Sequence, residues 1–180
     1  MDEKSFSELV DRLEGLEWCI FSGVAVRIYT GSDREFGDID FLVPEEDMEE
    51  FADRVDADVK DRDIVKDGKR VNDTALETVY NGIEIEATTG FPPERVEDGS
   101  IRKLFEKSEE REFMGRSVRV APLEETMVVK ARMDRPKDHR DIRLMNDLEF
   151  DSEFLLELVD DWGLDREEIV SILKENGISL

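Results

Sequence analysis

Apolar residues recur along the chain in blocks whose spacing alternates between helical and strand-like periods. Ser5-Phe6-Ser7-Glu8 has the form of a capping box opening a helix. Phe6, Leu9, Val10 and Leu13 would share its buried face, and Gly15 would end it. Trp18 to Phe21 is a short apolar run, predicting a buried strand. Ser22-Gly23 is a turn, and Val24 to Thr30 allows two helical turns closed by Gly31. Ile39 to Val43 is a second strand stopped by Pro44. Glu45 to Val55 is an amphipathic helix with Met48, Phe51 and Ala52 inward.

From Asp56 to Val71 charges alternate with apolar residues, which suits edge strands. Thr74 to Tyr80 and Ile83 to Thr88 form a hairpin about Asn81-Gly82, a strong turn signal. Gly90-Phe91-Pro92-Pro93 predicts loop. A short helix over 101–107 follows, then two short strands, Arg111 to Met114 and Ser117 to Val120, turning at Gly115. The remainder is helical: Leu123 to Met133, an interruption at Pro136, Lys137 to Leu148, Ser152 to Trp162 and Arg166 to Glu175. Asp165 and Glu168 resemble a capping box for the last helix. Strands early and helices late predict an α+β fold: a mixed sheet with helices on one side and a helical C-terminal part.

With 180 residues, 39% of them hydrophobic, the chain suffices for one core with a helical appendage. Charged residues make up 41%, Arg outnumbers Lys, and the formal net charge is -23. Such a field repels phosphate polymers and anionic lipid, so general DNA binding and a membrane-surface role are disfavoured unless a local basic face exists. Arg132, Arg135, Lys137 and Arg140 cluster by sequence and supply one candidate. The single cysteine, Cys19, lies in an apolar run and has no disulfide partner. No signal-peptide layout and no apolar stretch of membrane length is seen, so the expected location is cytoplasmic.

Candidate chemistry begins at Ser22-Gly23 and continues through Gly31, Arg34 and Gly37 to Asp38-Ile39-Asp40. Side chains alternate along a strand, so Asp38 and Asp40 share one face while Ile39 and Phe41 enter the core. Two carboxylates on one face repel unless a cation lies between them. Mg²⁺, which combines carboxylate oxygens with substrate phosphates, is the obvious candidate. A glycine at a strand-to-helix turn lets backbone N–H groups approach a phosphate. In Gly82-Ile83-Glu84-Ile85-Glu86-Ala87 the isoleucines face inward, leaving Glu84 and Glu86 on the other face, where one can join the aspartates or both can simply be surface. His139, the lone histidine, is expected at a helix surface, and Trp18 and Trp162 in the core.

This constellation resembles the nucleotidyltransferase superfamily of polymerase-β-like fold, whose hallmark is a helix-opening Gly-Gly or Gly-Ser followed by an acid-x-acid strand and a third acid on a neighbouring strand. The spacing is most similar to the branch of lincosamide nucleotidyltransferases and AbiEii-type toxins. That branch carries a helical Lys, then Lys/Arg-Asp-x-x-Asp, matched here by Lys130 and by Asp138 and Asp141. The resemblance covers residues 18 to 148 and implies a nucleotidyltransferase core over 1–121 with a helical extension over 122–180. It further implies a metal-dependent transfer of a nucleoside monophosphate from an NTP to an acceptor, with release of pyrophosphate. Asp38, Asp40 and Glu86 would be catalytic and would hold Mg²⁺ or Mn²⁺. Ser22, Gly23, Arg34 and Lys130 would bind the nucleotide, with Glu84, Asp138 and Asp141 in support. The offset from Gly82 favours Glu86 over Glu84. The acceptor is a small molecule, RNA or protein. Two departures, Ser22 where the family has Gly and Glu as third acid, favour the alternative of a non-catalytic nucleotide-binding or regulatory protein. Read without the family, Lys130 is a solvated lysine, and Asp138 and Asp141 are first-turn acids favoured by the helix dipole.

Overall fold

A computed structural model describes residues 2–66, 69–89 and 100–180, the side chains of 60–75 and of residue 100 excepted. The loop expected at Gly90-Phe91-Pro92-Pro93 lies outside the described residues. The first helix, α1 (Glu3–Arg12), starts two residues before the expected cap. Asp2 is the N-cap: its carboxylate accepts the Ser5 N–H at 2.9 Å and the Ser5 hydroxyl at 3.1 Å. An ionised carboxylate placed ahead of Ser5 satisfies the free amides and lets the helix begin earlier.

The other elements in chain order are β1 (Cys19–Phe21), α2 (Ser22–Thr30), β2 (Asp38–Leu42), α3 (Glu45–Arg54), β3 (Lys60–Lys66), β4 (Lys69–Tyr80), β5 (Ile83–Thr88), α4 (Ser100–Lys107), β6 (Glu109–Phe113), β7 (Arg116–Val120), α5 (Leu123–Met133), α6 (Pro136–Met145), α7 (Ser152–Asp161) and α8 (Arg166–Glu175). The strands form one mixed sheet of order β3-β4-β5-β2-β1-β7-β6. β1 runs antiparallel to β2 and parallel to β7, and β2 runs parallel to β5. The β4–β5 hairpin closes at Asn81 and Gly82, both at positive φ (48° and 80°), the backbone of a tight two-residue hairpin turn. Pro136 opens α6 as its first residue; the break before it is made by Asp134 in the left-handed region at φ 51°.

Helices cover both faces of the sheet, not one. Ile20, Ile39, Phe41, Ile83, Ile85 and Ala87 pack with Phe6 and Leu9 of α1, with Leu13 at its C-cap, and with Met48 and Phe51 of α3. Cys19, Phe21 and Leu42 pack with α4, α5, α7 and α8. The reason is local: β1 and β2 are apolar on alternate residues of both faces, so each face must be covered. Helix α5 is buried from Leu123 through Ala131, polar residues included, because α2, α6, α7 and α8 surround it. At the N-terminal half of β2 the second face is not apolar. There it carries Asp38 and Asp40, and the cover opens into a cleft.

Candidate active site

Register sets the acids. Asp40 lies opposite Glu86 in the parallel β2–β5 pair and opposite Phe21 in the antiparallel β1–β2 pair. Strands lie about 4.8 Å apart. Each of Asp38, Asp40 and Glu86 offers a carboxylate oxygen, and those oxygens all lie within 4.8 Å of one another. Glu84 sits opposite Asp38, is exposed, and stands outside this group. Asp38 is exposed, whereas Asp40 and Glu86 are half-buried. Burial, reinforced by the neighbouring Asp38 charge, raises the pKa of Asp40, against hydrogen bonds from the Ser22 hydroxyl and the Gly23 N–H and the charge of Lys130.

Because Phe21 is the last residue of β1 and pairs with Asp40, the chain enters α2 directly beside the acids. Ser22 takes the turn at φ 59°, a left-handed conformation that disfavours any residue with a Cβ. Its hydroxyl lies 3.4 Å from Lys130 Nζ. Gly23 is covered by Arg34: a Cβ at this position would stand 2.8 Å from Arg34 Nη1. Only a glycine permits that approach without moving the guanidinium.

Lys130, Asp138 and Asp141 are buried, at 2%, 0% and 3% exposure, so the lysine is not solvated; Asp138 does stand in the first turn of α6, where it accepts the Arg135 N–H at 3.2 Å. Arg34 grips Asp141 through two hydrogen bonds of 2.6 and 3.0 Å, a bidentate pair between the α2–β2 loop and α6. Lys130 Nζ lies 3.3 Å from Asp141 and 3.4 Å from Asp138. Arg135 in turn binds Asp138 at 2.6 and 3.2 Å. Burial opposes ionisation of Asp138, but the Arg135 hydrogen bond and the charges of Lys130 and Arg135 prevail, and its pKa falls below the ordinary carboxylate value. The five charged groups form a continuous network, Arg34–Asp141–Lys130–Asp138–Arg135, so the burial cost of its three inner members is offset by partners on two sides. His139 is partly exposed between Asp134 and Asn176 and takes no part in the cleft.

The turn, the acids and the network members Arg34, Lys130, Arg135 and Asp141 line one cleft of about 1010 Å³. Sequence reasoning missed Glu125, fully enclosed on α5, whose pKa burial pushes up from 4.5 to about 8, with Asp40 adding to the rise and Thr126 and Lys130 opposing it. The signal was present: Met127-Val128-Val129 is apolar on three successive helical directions, so α5 had to be buried all round.

No family model matches the chain, and no curated protein matches it in sequence. Solved structures do. A candidate nucleotidyltransferase from Thermotoga maritima superposes with a TM-score of 0.56 at 21% identity, covering 78% of this chain and 89% of that one. ANT(2'')-Ia in complex with adenylyl-2''-tobramycin superposes at 0.54 and 15% identity, covering 97% and 95%. An antigenic nucleotidyltransferase-like protein from Paracoccidioides brasiliensis superposes at 0.50 and 17%, covering 99% and 94%. The chain therefore has the nucleotidyltransferase fold. No helix among the described residues is long and apolar enough to cross a membrane.

Proposed function

We propose that this protein is a metal-dependent nucleotidyltransferase that moves a nucleoside monophosphate from an NTP to an acceptor. The observation carrying the reading is the convergence of Asp38, Asp40 and Glu86 within 4.8 Å beside the Ser22–Gly23 turn, inside a cleft able to take a nucleotide. Three hard carboxylate oxygens so placed fit Mg²⁺ or Mn²⁺, and the pKa of Asp40, raised first by burial and then by the Asp38 charge, marks a carboxylate that a bound cation would help to ionise. Asp38, Asp40 and Glu86 would hold the metal, which when bound neutralises phosphate charge and makes an oxygen nucleophile more acidic.

The chain's own groups supply the rest. The α2 N-terminus at Ser22–Gly23 faces phosphate with backbone N–H groups, and Arg34 and Lys130 place positive charge on either side of that turn. The acceptor hydroxyl attacks the α-phosphorus, the new O–P bond forms, and the bond to the bridging oxygen breaks. Pyrophosphate leaves with that electron pair, while Glu86 takes the acceptor proton. Positioning and fixed charge dominate such catalysis.

One observation favours a second reading, a nucleotide-binding protein without turnover. The Ser22 hydroxyl and Gly23 N–H hydrogen-bond to Asp40, and Ser22 sits in a strained backbone conformation. A turn whose donors are engaged by its own acid binds phosphate less readily. Incubation with α-³²P-labelled NTPs, Mg²⁺ or Mn²⁺ and separated RNA, protein and metabolite fractions distinguishes the two. Labelled product and pyrophosphate support the enzyme; nucleotide binding with neither product supports the second reading.

A further inference from the structure

The nucleotidyltransferase reading leaves the acceptor open, and the charge on one wall of the cleft narrows it. Outside Asp38, Asp40 and Glu86, the cleft lining carries six cations, Arg34, Lys130, Arg135, Lys137, Arg140 and Arg143, against three acids, Asp33, Glu35 and Asp141. In a chain with 48 acids and 25 Lys and Arg residues, a cleft whose six cations equal all six of its acids, Asp38, Asp40 and Glu86 included, is locally rich in positive charge. Arg34, Lys130 and Arg135 pair with Asp141 and Asp138, three cations sharing two acids. Lys137, Arg140 and Arg143 are different. All three are exposed, and none has a carboxylate partner among the described residues; Arg143 binds only the Asn176 side-chain oxygen, at 2.6 Å. Elsewhere most described cations pair with acids, as in Lys103 with Glu157 and Asp161, Arg116 with Asp11 and Arg119 with Glu17.

The three unpaired cations come from a single helix, α6, at intervals of three residues. From 137 to 143 they span about 9 Å along its axis, more than one phosphate group covers. The triphosphate of an NTP at the Ser22–Gly23 turn already has Arg34 and Lys130 beside it. From these observations we infer that the α6 wall is the acceptor subsite and that the acceptor is a compact molecule bearing phosphate. The inference rests on the nucleotidyltransferase reading of the cleft. Size follows from screening. At physiological ionic strength charges act over about 8 Å, so a small anion inside the cleft feels the α6 wall. A long polyanion must also lie along the acidic surface that surrounds it, and is repelled. A polycation such as the tobramycin moiety seen with ANT(2'')-Ia meets the wrong sign on this wall.

The test is calorimetric titration of the protein saturated with Mg²⁺ and a non-hydrolysable ATP analogue, using fructose 1,6-bisphosphate, a ribo-octanucleotide and tobramycin in turn. Wild type is compared with the double variant Lys137→Glu/Arg140→Glu, both positions being exposed. The ATP analogue should lose markedly less affinity in the variant than the sugar bisphosphate does, since neither residue stands at the turn. The sugar bisphosphate should bind wild type and weaken at least about tenfold in the variant, with a shallower dependence on salt. Tobramycin should not bind. Absence of bisphosphate binding, or binding unchanged by the charge reversal, overturns the subsite. Octanucleotide binding tighter than the bisphosphate, with the same loss in the variant, overturns the compact acceptor in favour of a polymer. Failure of the ATP analogue to bind wild type refutes the nucleotidyltransferase reading itself, and the acceptor subsite with it.

Discussion

Replacing Glu125 with Gln should abolish a pH-dependent loss of stability at the centre of the molecule. The residue is 2% exposed, and the Thr126 hydroxyl donates to its carboxylate at 3.3 Å. Enclosure raises its pKa from 4.5 to about 8. Between those values the unfolded chain has released the proton and the folded chain retains it. The folded state therefore binds more protons, and stability falls as pH rises, by about 1.4 kcal/mol per pH unit. From pH 5 to pH 7 the wild type should lose about 2.7 kcal/mol relative to Glu125→Gln, whose amide keeps the shape and cannot ionise. For a chain of this length that is a divergence in Tm of about 5–11 °C. Urea unfolding of both proteins at pH 5, 6 and 7 measures it. The mutual repulsion of the many surface acids also grows with pH, but it acts on both proteins and cancels in the difference. Stability curves that run parallel across this window would refute the claim that Glu125 is held protonated.

Other substitutions probe folding and binding. Lys130→Met should leave Asp138 and Asp141 each one partner short in a buried site, costing about 3 kcal/mol or more, seen as a fall in Tm. Gly23→Ala should lower Tm, because the added methyl would stand 2.8 Å from a guanidinium that buried Asp141 holds, and should weaken MgATP at least about tenfold by pushing that guanidinium off the turn. Asp141→Asn should reduce affinity for MgATP through loss of the bidentate hold on Arg34, and Arg34→Ala should add little further loss in the Asp141→Asn background, a double-mutant cycle read by calorimetry.

Much of the fold was legible because periodicity and punctuation agree along the chain. Asn81-Gly82 demanded a hairpin, and a hairpin is there. Leu123 to Met133 was bounded by the same residues that bound α5. What the pattern could not convey was depth. Helices were expected on one side of the sheet because each helix shows only one apolar face, but two-sided burial is a property of β1 and β2, where short runs of apolar residues hide the alternation. The acid pair and the turn could be picked out because a polar Asp-x-Asp interrupts a buried strand, and register with β5 brings Glu86 rather than Glu84 into the group of three. The network of Arg34, Lys130, Asp138 and Asp141 joins residues more than a hundred positions apart, and a charged residue's partner at that distance leaves no local trace. Helix capping explains an acid at the start of α6 equally well, so burial of Asp138 and Asp141 appears only once α5 and the α2–β2 loop are packed against them.

The most direct test of the proposed site is Mg²⁺-dependent nucleotide binding by wild type and by Asp38→Asn/Asp40→Asn. Neutralising the pair removes the cost of burying a charged Asp40 and its repulsion by Asp38, so the double variant without ligand should fold as well as wild type or better. MgATP binds only the folded state, so at about 100 times its Kd it should stabilise wild type by about 2.7 kcal/mol, an upward shift in Tm of about 5–11 °C. The double variant should show no such shift. A variant that keeps the full MgATP-induced rise would show that Asp38 and Asp40 are surface charges, and would contradict the nucleotidyltransferase site built on them.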